Sequence, residues 1–420
     1  MPLTPQITPL NIADAAHLLR RTSFGATTEQ IQALAGQTPQ AAAAQLLSFP
    51  TETLPSPFRP LEAVSPGAAI KLMQAQWLRE MVLTPHPLRE RLTLMWSNHF
   101  VIATDKVKNV SALDNYLLTL RTHALDKFPE LALAAIKTPA LLRYLDNNQN
   151  RKGKPNENLG RELLELFTLG IGHYSETDVK EGARALTGWT FEGGKNNKQF
   201  AESQTFMFNQ KQHDGGPKTY LGQKGNFGGE DIVRLAAGHQ ATAERVAFKL
   251  WRSFVSDAPN EAGQARLTET YTQAGGDIKQ TLLTLLGSQE FYSSRQSIIR
   301  SPVEFVAGAL RASGRSDLDE KTYINLSGTL SRLGQELLHP PTVKGWDGGR
   351  GWINDGTLLL RMQVAAALTL GKQMGGKGKI TERPSSLALL GSEAMPPALA
   401  KLAAPQQAYL MLVSPEYQLI

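Results

Sequence analysis

Two carboxylates three residues apart, Glu162 and Glu165, stand in the densest polar stretch of the chain, NENLGRELLELFTLGIGHYSETDVKEGARALTGW at 156–189. On a helix this spacing puts both on one face with Asn158 and Arg161, where they can converge on one ligand or metal ion. A base such as Arg161 would keep one carboxylate ionised while burial raises the other, the division that general acid–base hydrolysis uses. On spacing alone a solvated face is the commoner outcome, with an Arg–Glu pair contributing a few tenths of a kcal/mol. The side-chain amides of Asn156 and Asn158 weigh slightly against it, because asparagine suits caps and ligand contacts better than helix interiors.

Histidine is the second source of chemistry. The eight are His17, His86, His99, His123, His173, His213, His239 and His339. No two stand four residues apart and no HExxH occurs, so a divalent metal would need ligands from distant positions. His99 follows Asn98 at the end of an apolar helix, and His213-Asp214 sets a base beside a carboxylate in a glycine-marked turn. For any one of them a structural role is the commoner. The run GQKGNFGGEDI offers backbone N–H groups to an anion ahead of a helix. It lacks the Gly-Lys-Ser/Thr ending of a phosphate loop and follows no βαβ pattern. Trp346 and Trp352, among glycines, suit stacking on a sugar or covering a cleft, and equally capping the core. No GxSxG marks a serine nucleophile.

The elements that must position these residues are mostly helices. Apolar periodicity predicts two over 11–48, two over 68–103 split at Thr84-Pro85-His86-Pro87, and two over 111–145 split at Phe128-Pro129. One helix carries the polar face from Asn158 to Leu169, ended by Gly170 and Gly172. A second starts at Ser175 with Asp178 as a capping box and stops at Gly188. From Trp189 to Leu221 the residues favour strands and turns. Further helices are expected at 230–238, 242–255, 260–273, 277–287, 301–312, 321–338 and 356–372, a mobile loop over 375–397, and a last helix at 406–412. The expected fold is mainly α, a large helical domain with a small antiparallel β insertion around 189–222. It divides into an N-terminal part (1–145), a central part (156–372) and a loop and tail packing back (373–420), together one compact unit.

Of the 420 residues, 41% are hydrophobic and 20% charged, as in soluble globular proteins. The net charge of +6 is scattered rather than gathered in a basic stripe, so nucleic acid is not the expected partner. With no cysteine, disulfides, thiol catalysis and cysteine-bound metals are excluded. No apolar signal segment is visible at the N-terminus and no run reaches the ~18 apolar residues of a membrane span. The expected location is the cytoplasm, or outside it when carried by a partner.

Several long motifs, LLRRTSFG (18–25), WSNHFV (96–101), the 156–189 stretch, HDGGPKTYLG (213–222), LGQELLHPPTVKGW (333–346) and SPEYQ (414–418), resemble the bacterial domain-of-unknown-function 1800 family over nearly the whole chain. The resemblance implies a largely helical bacterial protein, in a family often encoded beside exported proteins of the 1501 family, which look like sulfatases and alkaline phosphatases. Two functions follow as expectations. One is a hydrolase-type enzyme or ligand-binding protein for a carbohydrate or phosphate-bearing ligand. Its pocket would draw Glu162, Glu165, His213 and Asp214 together with Asn98, His99, Asn156, Asn158, Arg161, Trp346 and Trp352. The other is a non-catalytic partner or scaffold for a 1501-family protein.

Overall fold

Helices in this chain repeatedly begin where a hydroxyl residue precedes a proline. Thr38, Thr138 and Ser301 accept the backbone N–H of Ala41, Leu141 and Glu304 at 3.3, 3.4 and 3.3 Å, and the following proline has no N–H to leave unpaired. These starts divide segments that periodicity joins. Residues 11–48 form three helices rather than two, Ile12–Thr22, Thr28–Leu34 and Pro39–Leu46. The 111–145 segment also forms three, ending with Pro139–Tyr144.

The computed structural model describes residues 2–194, 200–314, 318–370, 385–393 and 397–420. Ten helices frame the regions of interest: α1 (Pro66–Leu83), α2 (Pro87–Ser97), α3 (Val110–Thr122), α4 (Phe128–Ile136), α5 (Asn158–Glu162), α6 (Glu176–Ala185), α7 (Gln240–Phe254), α8 (Pro302–Ala312), α9 (Glu320–Arg332) and α10 (Asp355–Thr369). The fold is mainly α, as expected. Its β insertion, among the described residues, is two separate antiparallel pairs: β1 (Trp189–Glu192) with β2 (Thr205–Phe208), and β3 (Lys218–Tyr220) with β4 (Gln223–Gly225). The helix expected over 321–338 stops at Arg332, and the next turns run through Leu338 at φ 60°. Most of the expected 375–397 loop lies outside the described residues, and the described part includes a short helix, Ser386–Leu390. No described helix is long and apolar enough to cross a membrane.

α1 packs against α8 and α9, and α2 against α3. The fully buried Glu90 joins the first three helices: it accepts Trp77 Nε1 at 2.8 Å, Arg89 Nε at 2.8 Å, and Arg121 Nε and Nη2 at 2.9 and 3.0 Å. Burial pushes this carboxyl up, and Arg121 and Arg89 outweigh it and hold it below the usual range. The C-terminal tail returns to the centre through an antiparallel bridge of Leu419 to Ile299. Arg20 fixes it further, donating to Leu389 O at 2.7 Å and Leu419 O at 2.6 Å.

The polar stretch that opens the sequence reading is not one α-helix. Only α5 is α-helical, and Leu163–Phe167 continues it as a π-helical turn. Such a turn holds one residue more than an α turn and recurs at functional sites. Gly170 and Gly172, at φ 86° and 94°, end the segment.

Candidate functional site

Asn98 closes α2 and grips the Lys344–Trp352 turn. Its Oδ1 accepts the Trp346 N–H at 2.7 Å and its Nδ2 donates to Trp346 O at 3.1 Å. Gly345, at φ 85°, has to be glycine here, since a Cβ would lie 2.1 Å from Asn98 Oδ1. The clamp holds Trp346 and Trp352, both largely buried, against a cleft of ≈ 270 Å³ between α2, α7, the start of α8 and this turn.

Four cations, Arg91, Lys249, Arg252 and Lys344, and three carboxylates, Asp257, Glu304 and Asp347, line that cleft. Arg91 is paired with Glu304, which also accepts the Ser301 N–H at 2.7 Å. Arg252 reaches Asp257 at 3.4 Å and donates to Asp347 O at 2.9 Å. Lys249, half-buried, has no hydrogen-bond or ion-pair partner among the described residues. Burial, then Arg245 and Arg252, pull its pKa down to about 7. Burial raises Asp257 despite Arg252, and its Oδ2 is buried without a partner.

Arg245, Lys249 and Arg252 recur on one face of α7 at i, i+4 and i+7. The spacing of this cationic stripe is legible in the sequence. Arg245 Nε donates to Leu166 O at 3.0 Å, and His99 Nε2 to Phe167 O at 2.9 Å. Together with the Gly170 N–H on Leu164 O at 2.9 Å and the Thr168 hydroxyl on Leu163 O, they satisfy the free carbonyls at the end of the π turn.

That arrangement fixes the acidic pair. Glu162 and Glu165 are half-buried, and Tyr174 OH donates to Glu165 Oε2 at 3.2 Å. Burial and then Glu165 raise the Glu162 pKa, opposed by Arg161 and by Lys344 at the cleft rim. Arg161 itself pairs with Glu176 at 2.7 Å and Glu157 at 3.3 Å, which braces α5 on α6. Asn156 and Asn158 extend an amide ladder. Asn156 N donates to Asn150 Oδ1 at 2.9 Å, Asn158 N to Asn156 Oδ1 at 2.9 Å, and Asn158 Nδ2 to Leu145 O at 3.2 Å.

His99 lies beneath the π turn, wholly buried among Phe100, Phe128, Trp96 and Phe167. Its bond to a carbonyl assigns the proton to Nε2, and Nδ1 has no partner. Burial, then Lys249 and Arg245, hold its pKa well below the usual value, so the ring is neutral.

His213 and Asp214 belong to a different corner. His213 Nδ1 meets Thr187 O at 2.9 Å and the ring packs on Phe208. Asp214 is gripped by Arg184 at 2.9 and 3.2 Å, which with the Gly216 N–H lowers its pKa to about 2. None of the groups touching this corner is shared with the cleft. In the glycine-rich 222–229 loop, Asp231 accepts the Gly228 N–H at 2.8 Å. Among the described residues no three of His, Asp and Glu are grouped to hold a metal ion, so the convergence of Glu162 and Glu165 on a metal finds no third ligand.

The fold and the cleft define a mainly helical protein with a half-open, cation-rich cleft walled by tryptophan. The chain belongs to the family described as Protein of unknown function (DUF1800), whose family model matches residues 17–419. No curated protein and no solved structure matches it.

Proposed function

We propose that this protein binds a small anionic ligand in the Lys249 cleft, and that the ligand is a phosphate-bearing sugar. The observation that carries this reading is the half-buried Lys249 amine, which lines the cleft without a protein acceptor while the neighbouring Arg91 and Arg252 are already paired. An ammonium taken from water with no partner is costly, and a bound anion would remove that cost. Trp346 and Trp352 supply flat apolar walls for the non-reacting face of a sugar ring.

Binding of an anion stabilises charged Lys249, so it should draw a proton from solution near pH 7, where that amine is half protonated. Calorimetry with glucose 6-phosphate and glucose, in two buffers of different ionisation enthalpy, tests this. The phosphorylated sugar should bind roughly tenfold more tightly or better, about 1.4 kcal/mol, with proton uptake. Equal affinity for the two sugars, or no binding of either, would overturn the reading.

A hydrolytic use of the same region would rest on Glu162, whose carboxyl is raised by burial and Glu165 beside the cleft-lining Lys344. In that case Glu162→Gln should abolish release of product from a p-nitrophenyl phosphate or glycoside while leaving ligand affinity within about threefold, since only the acid is removed. For the partner reading, the favouring observation is the apolar face of α10, where Leu358, Leu359 and Met362 are exposed. Co-purification with a neighbouring 1501-family protein, lost on replacing Leu359 by Asp, tests it.

A further inference from the structure

Lys249 has the setting of a nucleophile as well as of an anion contact. It stands one turn after Arg245 and one before Arg252 on α7. Both guanidiniums are tied to backbone carbonyls, Arg245 to Leu166 and Arg252 to Asp347, so neither can swing away from the amine between them. Of the carboxylates that line the cleft, Glu304 is paired with Arg91 and Asp257 with Arg252, and none is bonded to Lys249. An amine held between fixed cations, partly out of water and without a carboxylate, is driven toward its neutral, nucleophilic form.

We propose that Lys249 condenses with the carbonyl carbon of an anionic aldehyde or ketone, the open-chain form of a phosphosugar being the class that fits the cleft. This rests on the anion-binding reading and adds a covalent step to it. The amine lone pair forms the C–N bond as the C=O π electrons move to oxygen, and the nitrogen proton passes to that oxygen. Loss of the hydroxyl with the second nitrogen proton releases one water and leaves the imine, with no change of oxidation state. The phosphate would lie by Arg252, the α7 guanidinium that lines the cleft, while the sugar chain lies along Trp346 and Trp352.

The test uses the full chain with pyridoxal 5′-phosphate, a phosphorylated aldehyde, and sodium cyanoborohydride to reduce any imine, followed by peptide mass mapping. Lys249 should be labelled on the order of tenfold faster or more than the exposed Lys211 and Lys224 at pH 7.5, because a lowered pKa leaves far more free amine. Pyridoxal without the phosphate should lose that advantage, and inorganic phosphate should protect Lys249. Lys249→Arg, which keeps a cation for the anion, should bind glucose 6-phosphate and give no adduct at this position. Labelling at Lys249 no faster than at the exposed lysines overturns the covalent step. If glucose 6-phosphate still binds in that case, the binding reading stands alone; if it does not, both fall.

Discussion

The Lys249 cleft and the His213–Asp214 corner are built from the same kinds of residue and end in opposite states. In the corner, Arg184 takes both oxygens of Asp214, Thr187 takes His213, and Lys218 Nζ donates to Asp214 O at 2.6 Å and Gly216 O at 3.0 Å. Each charge has found a partner within the chain, and the result pins the β insertion to α6. In the cleft, Arg91 and Arg252 are matched, but the lysine between the α7 arginines is not. A polar cluster that satisfies itself is architecture. One that leaves a half-buried amine facing a cavity has kept interaction energy for something outside the chain.

The largest expected effect breaks the floor of the cleft rather than its opening. Glu304→Ala would strand buried Arg91 and free the Ser301 N–H, and should cost about 3–5 kcal/mol in denaturant unfolding. A loss below 1 kcal/mol would mean that the pair is solvated.

Acid separates the two regions next. His99 and His17 are buried neutral, the latter with a pKa lowered to about 3 by burial and then Arg21. The unfolded chain takes up these protons below about pH 6.5 while the folded one does not. The contribution of each ring is therefore complete above that pH, and below it stability should fall by about 1.4 kcal/mol per pH unit per histidine. Asp214, held near 2, keeps its contribution down to its unfolded value near pH 4 and loses it as pH falls toward 2. Urea titrations at half-unit steps should therefore show His17→Gln and His99→Gln flattening the slope between pH 6.5 and 4, and Asp214→Asn flattening it only below about 4.

The smallest effects on stability make the sharpest contrast. Asp214→Asn should cost roughly 1 kcal/mol, being a charge-assisted pair partly open to solvent, and leave ligand affinity unchanged. Lys249→Met should do the reverse. Removing a desolvated amine should stabilise the fold by on the order of 1 kcal/mol and weaken phosphosugar binding by roughly tenfold or more. A Lys249→Met protein that is less stable would show that the amine has a structural partner after all.

Much of the scaffold could be read from the chain. The helix starts at Ser175, the glycine stops at 170 and 172, and the turn to strands at Trp189 all depend on neighbours in sequence, and all are present. The Thr38-Pro39 and Thr138-Pro139 starts were equally local, but continuous apolar spacing masked them. For the site, Trp346, Trp352 and Asn98 do come together at one cleft, while Asn156, Asn158 and Arg161 are tied into the bracing of α5. What could not be read was long-range. No local pattern says that Arg245, from α7, and His99, from the turn after α2, will supply the hydrogen bonds that end the 158–167 segment, or that Lys249 will face a cavity. The i, i+4, i+7 cations of α7 were visible, but the same spacing describes any solvated helix face.

The π turn at Leu163–Phe167 carries a consequence for how this protein can vary. Because it houses one residue beyond the α repeat, deleting any single residue there would let it rewind as ordinary α-helix. The residues after it would keep nearly the facing they have now, because an α turn with one residue fewer closes about the same angle. The change would be local: the rewound turn pairs its own carbonyls, and Arg245 and His99 would lose the acceptors they use at Leu166 and Phe167. A shortened form would keep the alignment of its two halves and give up the bonds that tie this turn to α7 and to the end of α2.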